Sequence, residues 1–334
     1  MVLITGSTGL IGSHLLYRLL EKGESVRAIY RNRESLERVS KVFAYYSPHA
    51  VSLMDRVDWV EADITDIGSM EPCFKGVKKV YHAAGMISFD PKDKKQLHKV
   101  NVEGTANLTH LCLKHRVDKL CHLSSISAIG PSKKGEMADE ENQWNDSNVT
   151  GYGLSKYEGE LEVWRASQEG LSVVILNPGV VLGPGFWDQG SGSIFSRAAK
   201  ERNYHIPGGT GFVGVNDLVD AAIAAMESPQ KSERFIVVGE NLTYRELLQK
   251  VAQGLEVSPP SKELPFPVLE CIWRLDWLLA ALTGSRRRLT KALVRGMRQR
   301  EMYDSQKIKR ELGLDLQGLE PEIQSSCTKF RALR

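Results

Sequence analysis

The chain has 334 residues, with 44 Lys and Arg against 41 Asp and Glu, a net charge of +3, and 42% hydrophobic residues. That length exceeds the usual single domain and points to a large lobe with a smaller one attached, while the balanced charge gives no bulk signal for nucleic acid or an acidic substrate. Five cysteines without a CxxC pair fit reduced, mostly buried thiols, and eight histidines without HExxH spacing give no metal site.

The apolar run that starts at Val2 leaves no room for a signal peptide, and the apolar stretch 266–282 is interrupted by Glu270, Arg274 and Asp276. A soluble, cytoplasmic protein without an integral membrane segment is expected. Residues 2–4 read as a strand and run into Thr5-Gly6-Ser7-Thr8-Gly9-Leu10-Ile11-Gly12, which opens an amphipathic helix that Gly23 ends. Gly6 allows a tight turn, Gly9 lets backbone approach a pyrophosphate, and Gly12 lets the helix pack on the strand. Strands follow at 25–30, 57–61, 79–83, 120–124 and 173–177, separated by helical stretches at 97–114 and 153–168. This alternation predicts an α/β fold of the Rossmann type: a doubly wound parallel sheet with helices on both faces.

Residues 131–150 are polar, acidic and aperiodic, and read as a long surface loop beside the fifth strand. From Gly183 the regularity decays into Gly- and Pro-rich turns around 190–197 and 207–214. The chain then returns to the sheet at 235–238, Thr243 caps a further helix, and a final helical region covers 267–312. The expected division is a dinucleotide-binding domain over 1–180 and a smaller substrate lobe over 181–334, with about 212–240 returning to the first domain.

At the end of the second strand an acidic side chain would accept from a free ribose 2′-hydroxyl, whereas an arginine would hold a 2′-phosphate. The sequence there places Arg31, with Arg33 nearby, and no carboxylate. NADP is therefore expected over NAD, the other reading being two solvated loop arginines. Asp63 offers a carboxylate for an adenine amino group, or for a turn. The small residues Ala83, Ala84 and Gly85 suit close passage of a ligand or of a helix.

Tyr152 and Lys156 lie four apart at the start of a helical segment, so they share one face. A phenol titrates near 10, and a fixed ammonium beside it favours the phenolate and brings proton transfer toward neutral pH. Tyr303 and Lys307 share the spacing but have no serine strand before them, and Tyr303 reads as a packing residue. Ser124 and Ser125 end the fifth strand, at the edge where doubly wound sheets bind ligands.

These motifs together resemble the extended short-chain dehydrogenase/reductase family, within the NAD-dependent epimerase/dehydratase superfamily, over nearly the whole chain. Thr5 to Gly12 is similar to TGxxGxxG, Ser124-Ser125 to the serine strand, and Tyr152 to Lys156 to YxxxK. Asn101-Val102-Glu103-Gly104-Thr105 and Asn177-Pro178-Gly179 resemble two further family segments. The resemblance implies a catalytic set of Ser125, Tyr152, Lys156 and Asn101, the last either in a proton relay or fixing helix geometry. It implies cofactor contacts at Gly6, Ser7, Thr8, Gly9, Leu10, Ile11, Gly12, Arg31, Asp63, Ile64, Ala83, Ala84, Gly85, Tyr152, Lys156 and Pro178. The branch resembled is that of dihydroflavonol reductases and 3β-hydroxysteroid dehydrogenases, which implies hydride transfer to a carbonyl of a small molecule, or the reverse oxidation. A nucleotide-sugar epimerase with tightly bound NAD is the second reading, and a cofactor-sensing regulator without catalysis the third. A homodimer is compatible with the family.

In the C-terminal lobe Trp273, Trp277, Leu278 and Leu279 read as helix core ahead of an apolar pocket. The run Arg286, Arg287, Arg288, Lys291, Arg295, Arg298 and Arg300 reads as a solvated face, with an anionic substrate or a membrane surface as the other uses. Residues 185–190 read as a flexible segment placed to close over a substrate.

Overall fold

The computed structural model describes residues 1–132, 136–145, 149–287 and 289–333. Six strands in chain order are β1 (Val2–Thr5), β2 (Val26–Tyr30), β3 (Asp58–Glu61), β4 (Lys79–His82), β5 (Lys119–Leu123) and β6 (Val173–Pro178). With Glu233–Val237 they make one seven-stranded parallel sheet, ordered Glu233–Val237, β6, β5, β4, β1, β2, β3. The chain winds outward from β1 to β3 and then restarts at β4 on the other side of β1, which opens a crevice at the carboxyl ends of β1 and β4.

Alternation along each strand feeds both layers. Val2 and Ile4 of β1, with Val174 and Leu176 of β6, pack under helices Leu10–Glu21 and Val215–Glu227. Leu3, Val173 and Ile175 face the opposite layer, where helices Gly104–Lys114 and Gly151–Gln168 lie.

Two local expectations are corrected, at 190–197 and 207–214, and the helical readings at 97–114 and 267–312 gain detail. The stretch 97–114 is not one helix: it begins at Lys94 and passes through a π-helical turn, Lys99–Glu103, before Gly104–Lys114. The glycine-rich stretch 207–214 holds a strand, Gly209–Gly214, between Val180–Leu182 and Glu240–Thr243. Its glycines mark close packing rather than a turn, since a Cβ on Gly211 would press into Val238. Within 190–197, Ser193–Ala198 is helical. The region 267–312 divides into Phe266–Thr283, Lys291–Gly296 and Gln306–Leu312, the first ended by Gly284 at φ +71°. A last helix, Glu320–Arg331, packs Ile323 and Cys327 against Leu247 and Val251 of Tyr244–Leu255, a helix that starts with Thr243 and Glu246 in a reciprocal capping box. All five cysteines are unpaired.

The outer edge of the sheet is closed from the 131–150 loop. Glu140 is buried there, its Oε1 accepts from the Ile236 amide at 2.8 Å, and its carbonyl accepts from the Arg234 guanidinium. Glu140→Ala strands that amide, so a loss of roughly 1–3 kcal/mol in denaturant unfolding is expected; an unchanged midpoint would show that water replaces the carboxylate.

Candidate active site

The crevice begins at the glycine turn. Gly6 has φ +68°, and a Cβ on it would lie 2.5 Å from the Ala83 carbonyl carbon. A Cβ on Gly12 would run into the Gly6 carbonyl. Ala83 and Ala84 therefore pass directly over the turn, and helix Leu10–Glu21 opens at Gly9 without a side-chain cap. Uncapped amides at a helix N-terminus, with backbone approachable through Gly9, fit the pyrophosphate of a dinucleotide. The buried Ser7 hydroxyl donates to the Ile29 carbonyl at 2.7 Å and ties the turn to β2. Thr8 is half-buried on the turn, and Leu10 and Ile11 pack on the core below.

Arg31 and Arg33 stand exposed just beyond β2, beside Asn32, whose side chain caps the Arg33–Ser35 turn. Asp63 spends Oδ1 on the Thr65 amide and hydroxyl, at 2.8 and 2.9 Å. Ile64 is buried next to Gly104, and its carbonyl accepts from Asn107.

At the other side of the crevice, Thr150 caps helix Gly151–Gln168 through the Gly153 amide at 3.0 Å and so sets Tyr152 in its first turn. The Ser125 hydroxyl accepts from the Ser127 amide at 3.1 Å and lies near enough to the Tyr152 phenol to act on its titration. Burial pushes the phenol above its ordinary range, and Ser125 pulls it back. One turn on, the buried Lys156 Nζ donates to the Leu123 carbonyl at 2.9 Å. Desolvation pushes this ammonium down to about 8, with Glu160 opposing.

Asn101 sits in the π-turn. Its Nδ2 donates to the Met86 carbonyl at 3.0 Å and to Ser155 Oγ at 2.9 Å, and its Oδ1 accepts from the Met86 amide at 2.8 Å. The side chain thus clamps the segment after β4 to the tyrosine helix. A Cβ on Gly85 would lie 3.4 Å from Asn101 Oδ1 and 3.9 Å from Lys156 Nζ, which leaves Gly85 as the floor between them. Pro178 ends β6 beside Asn177.

One residue of this cluster went unread in the sequence. Glu160 is buried four positions after Lys156, within 3.6 Å of Arg234, and burial pushes its carboxyl up. Asn177 Nδ2 donates to Glu160 Oε1 at 2.5 Å and to the Ser125 carbonyl at 2.9 Å. The signal available was an acid on the same helical face as Tyr152 and Lys156.

The Phe89 ring meets Tyr152 edge-on at 5.9 Å, and a cleft of about 430 Å³ opens beyond it, lined by Ser88, Phe89, Asp90, Asp93, Arg197, Arg286 and Arg287. Two arginines of the basic run line the cleft, Arg286 with a largely solvated side chain and Arg287 paired with Asp276; Arg288 lies outside the described residues. In the segment 185–190, Trp187 donates to the Tyr45 hydroxyl at 3.0 Å and meets the rings of Phe195 and Phe330, while residues 188–190 are exposed. Tyr303 packs against the Val238 cluster and not in the crevice. Trp277, Leu278 and Leu279 are exposed, which corrects their reading as core.

The NAD dependent epimerase/dehydratase family model matches residues 2–239, and the chain belongs to that family. It is accordingly an NAD(P)-dependent enzyme of the oxidoreductase type. Among its relatives, the sterol demethylase protein B of Methylococcus capsulatus is 29% identical over 93% of this chain and 92% of that protein. A dihydroflavonol 4-reductase of Gerbera hybrida is 28% identical over 74% and 70%. The solved UDP-glucose 4-epimerase of Thermotoga maritima, with UDP-glucose, superposes at a TM-score of 0.77 with 22% identity over 99% of each chain, a likeness of fold. Among the described residues no helix is long and apolar enough to cross a membrane.

Proposed function

We propose that the protein is an NADP-preferring reductase of a carbonyl in a small organic substrate, or an oxidant of the corresponding secondary alcohol. The observation that carries this reading is Ser125 beside the Tyr152 phenol, which it pulls down, with Lys156 one turn away and an open cleft beyond Phe89. The glycine turn, Ala83–Gly85 and Pro178 would hold the dinucleotide, whose nicotinamide supplies or accepts the hydride when bound.

Ser125 donates to the substrate carbonyl oxygen and orients it toward Tyr152. Tyr152 delivers its proton to that oxygen, or removes it in the oxidative direction. Lys156, charged at neutral pH and held on the Leu123 carbonyl, would hold the ribose of the dinucleotide beside Tyr152. Asn101 holds the Met86 segment and the tyrosine helix in register. Support for the reductase over the epimerase reading comes from the end of β2, where Arg31 stands and no carboxylate does.

The test is oxidation of NADPH and NADH against a panel of ketones and aldehydes. Faster NADPH turnover supports the reading; inactivity toward every carbonyl, with NAD co-purifying, overturns it in favour of sugar-nucleotide epimerisation. Arg31→Ala is expected to weaken NADPH binding roughly tenfold, the scale of one charged hydrogen bond, while leaving NADH unchanged. Equal losses in a titration of both cofactors would show that Arg31 does not read the phosphate.

A further inference from the structure

Helix Phe266–Thr283 has two apolar faces, and only one of them is covered. Leu269 and Ala280 are buried against the body of the protein, with Trp273 half-buried on the same side. On the other side Val268, Leu275, Leu278, Leu279 and Leu282 follow the i, i+3, i+4, i+7 rule of one helical stripe, and all are exposed. Leu275 and Leu279 are each 58% exposed and Leu282 75%. A solvated helix carries polar residues there, so an apolar outer stripe marks a surface that something else covers.

Charge identifies what covers it. Residues 266–300 carry eight Lys and Arg against two Asp and Glu, in a chain whose net charge is only +3. Both acids are paired, Glu270 with Arg274 and Asp276 with Arg287. Lys291, Arg295, Arg298 and Arg300 remain exposed, and Arg298 lies over the Phe266 ring at the start of the helix. An exposed leucine stripe on a helix from a basic segment is the composition of a helix that lies in the interface of an anionic bilayer.

The position of the helix adds a reason. The turn that follows it is fastened to the segment after β4: Lys92 Nζ donates to the carbonyls of Gly284 and Ser285 at 2.9 and 3.2 Å, and the Arg287 amide donates to Asp90 Oδ2 at 3.0 Å. That segment carries Phe89, which touches Tyr152, and the turn after the helix supplies Arg286 and Arg287 to the cleft that Phe89 also lines.

We infer that helix Phe266–Thr283 docks the protein peripherally on an anionic membrane surface, with the cleft opening beside the lipid. On the reductase reading, the substrate is then lipid-soluble and enters from the bilayer.

The test is flotation of the purified protein with vesicles of phosphatidylcholine alone or with about one-third phosphatidylglycerol, without cofactor or substrate, so that it is independent of the proposed reaction. Binding to the anionic vesicles is expected, lost when salt is raised, and at least tenfold weaker for the triple variant Leu275→Ser/Leu279→Ser/Leu282→Ser. The combined Lys291→Ala/Arg295→Ala variant should reduce it by a smaller factor. Because every altered side chain is exposed, melting temperatures should stay at the wild-type value and show that the variants fold. Absence of flotation at low salt, or flotation equal for wild type and triple variant, overturns the proposal. Sedimentation that shows a wild-type dimer converted to monomer by the leucine changes also overturns it, and assigns the stripe to a second copy of the chain.

Discussion

Tyr152→Phe is expected to lower kcat by roughly a hundred- to ten-thousand-fold, the range of general acid–base catalysis, while the cofactor still binds with near wild-type affinity. The substitution removes one oxygen at the Ser125 contact and leaves the ring, so the edge-on packing on Phe89 persists. Steady-state kinetics beside a cofactor titration separates these effects. A variant that retains turnover would remove Tyr152 from its role as proton donor, and one that loses cofactor binding would show that the phenol serves binding instead. Ser125→Ala should fall in the same direction by a smaller factor, because it removes orientation and not the transferred proton.

Lys156→Met is expected to abolish measurable turnover and at the same time to stabilise the ligand-free protein. The ammonium is buried and held down to about 8, against an ordinary value of 10.5, because desolvation opposes its charge. The unfolded chain therefore binds the proton more tightly than the folded one. The resulting destabilisation is fully present below about pH 8, fades as pH rises from 8 to 10.5, and is absent above that window. Methionine is one atom shorter, stays unbranched and drops the charge, so the variant should melt at higher temperature than wild type at pH 7, and the gap should close toward pH 10. A lower melting temperature at pH 7 would show that the bond to the Leu123 carbonyl outweighs desolvation. Stability sacrificed at a functional lysine is the pattern expected where chemistry rather than packing selects the residue.

The parallel sheet was legible because its cause is local. Strand and helix periods alternate clearly through residue 178, and each strand observed there lies within two positions of the apolar run that predicts it. The glycine turn, Ser125, Tyr152 and Lys156 were legible because turn and helix geometry fix their spacing. Glu160 was not, since its burial depends on Asn177 and Arg234, which arrive from strands separated from it in sequence. The strand Gly209–Gly214 was hidden because glycine there answers to neighbours such as Val238, and glycine in a sequence reads first as a turn. Trp277, Leu278 and Leu279 of helix Phe266–Thr283 were read as core because apolar periodicity reports a buried face without saying what buries it.

The carboxylate that closes the outer strand has a consequence for how copies of this protein meet. An open strand edge is a template on which another chain can add its own strand, and parallel sheets rich in Val, Ile and Leu carry that hazard in full. Glu140 occupies the Ile236 amide on that edge, and Arg234 beside it is engaged by the Glu140 carbonyl. That contact keeps the Ile236 amide from pairing with a strand added by another chain, and its loss would return an unpaired amide to the edge of the sheet.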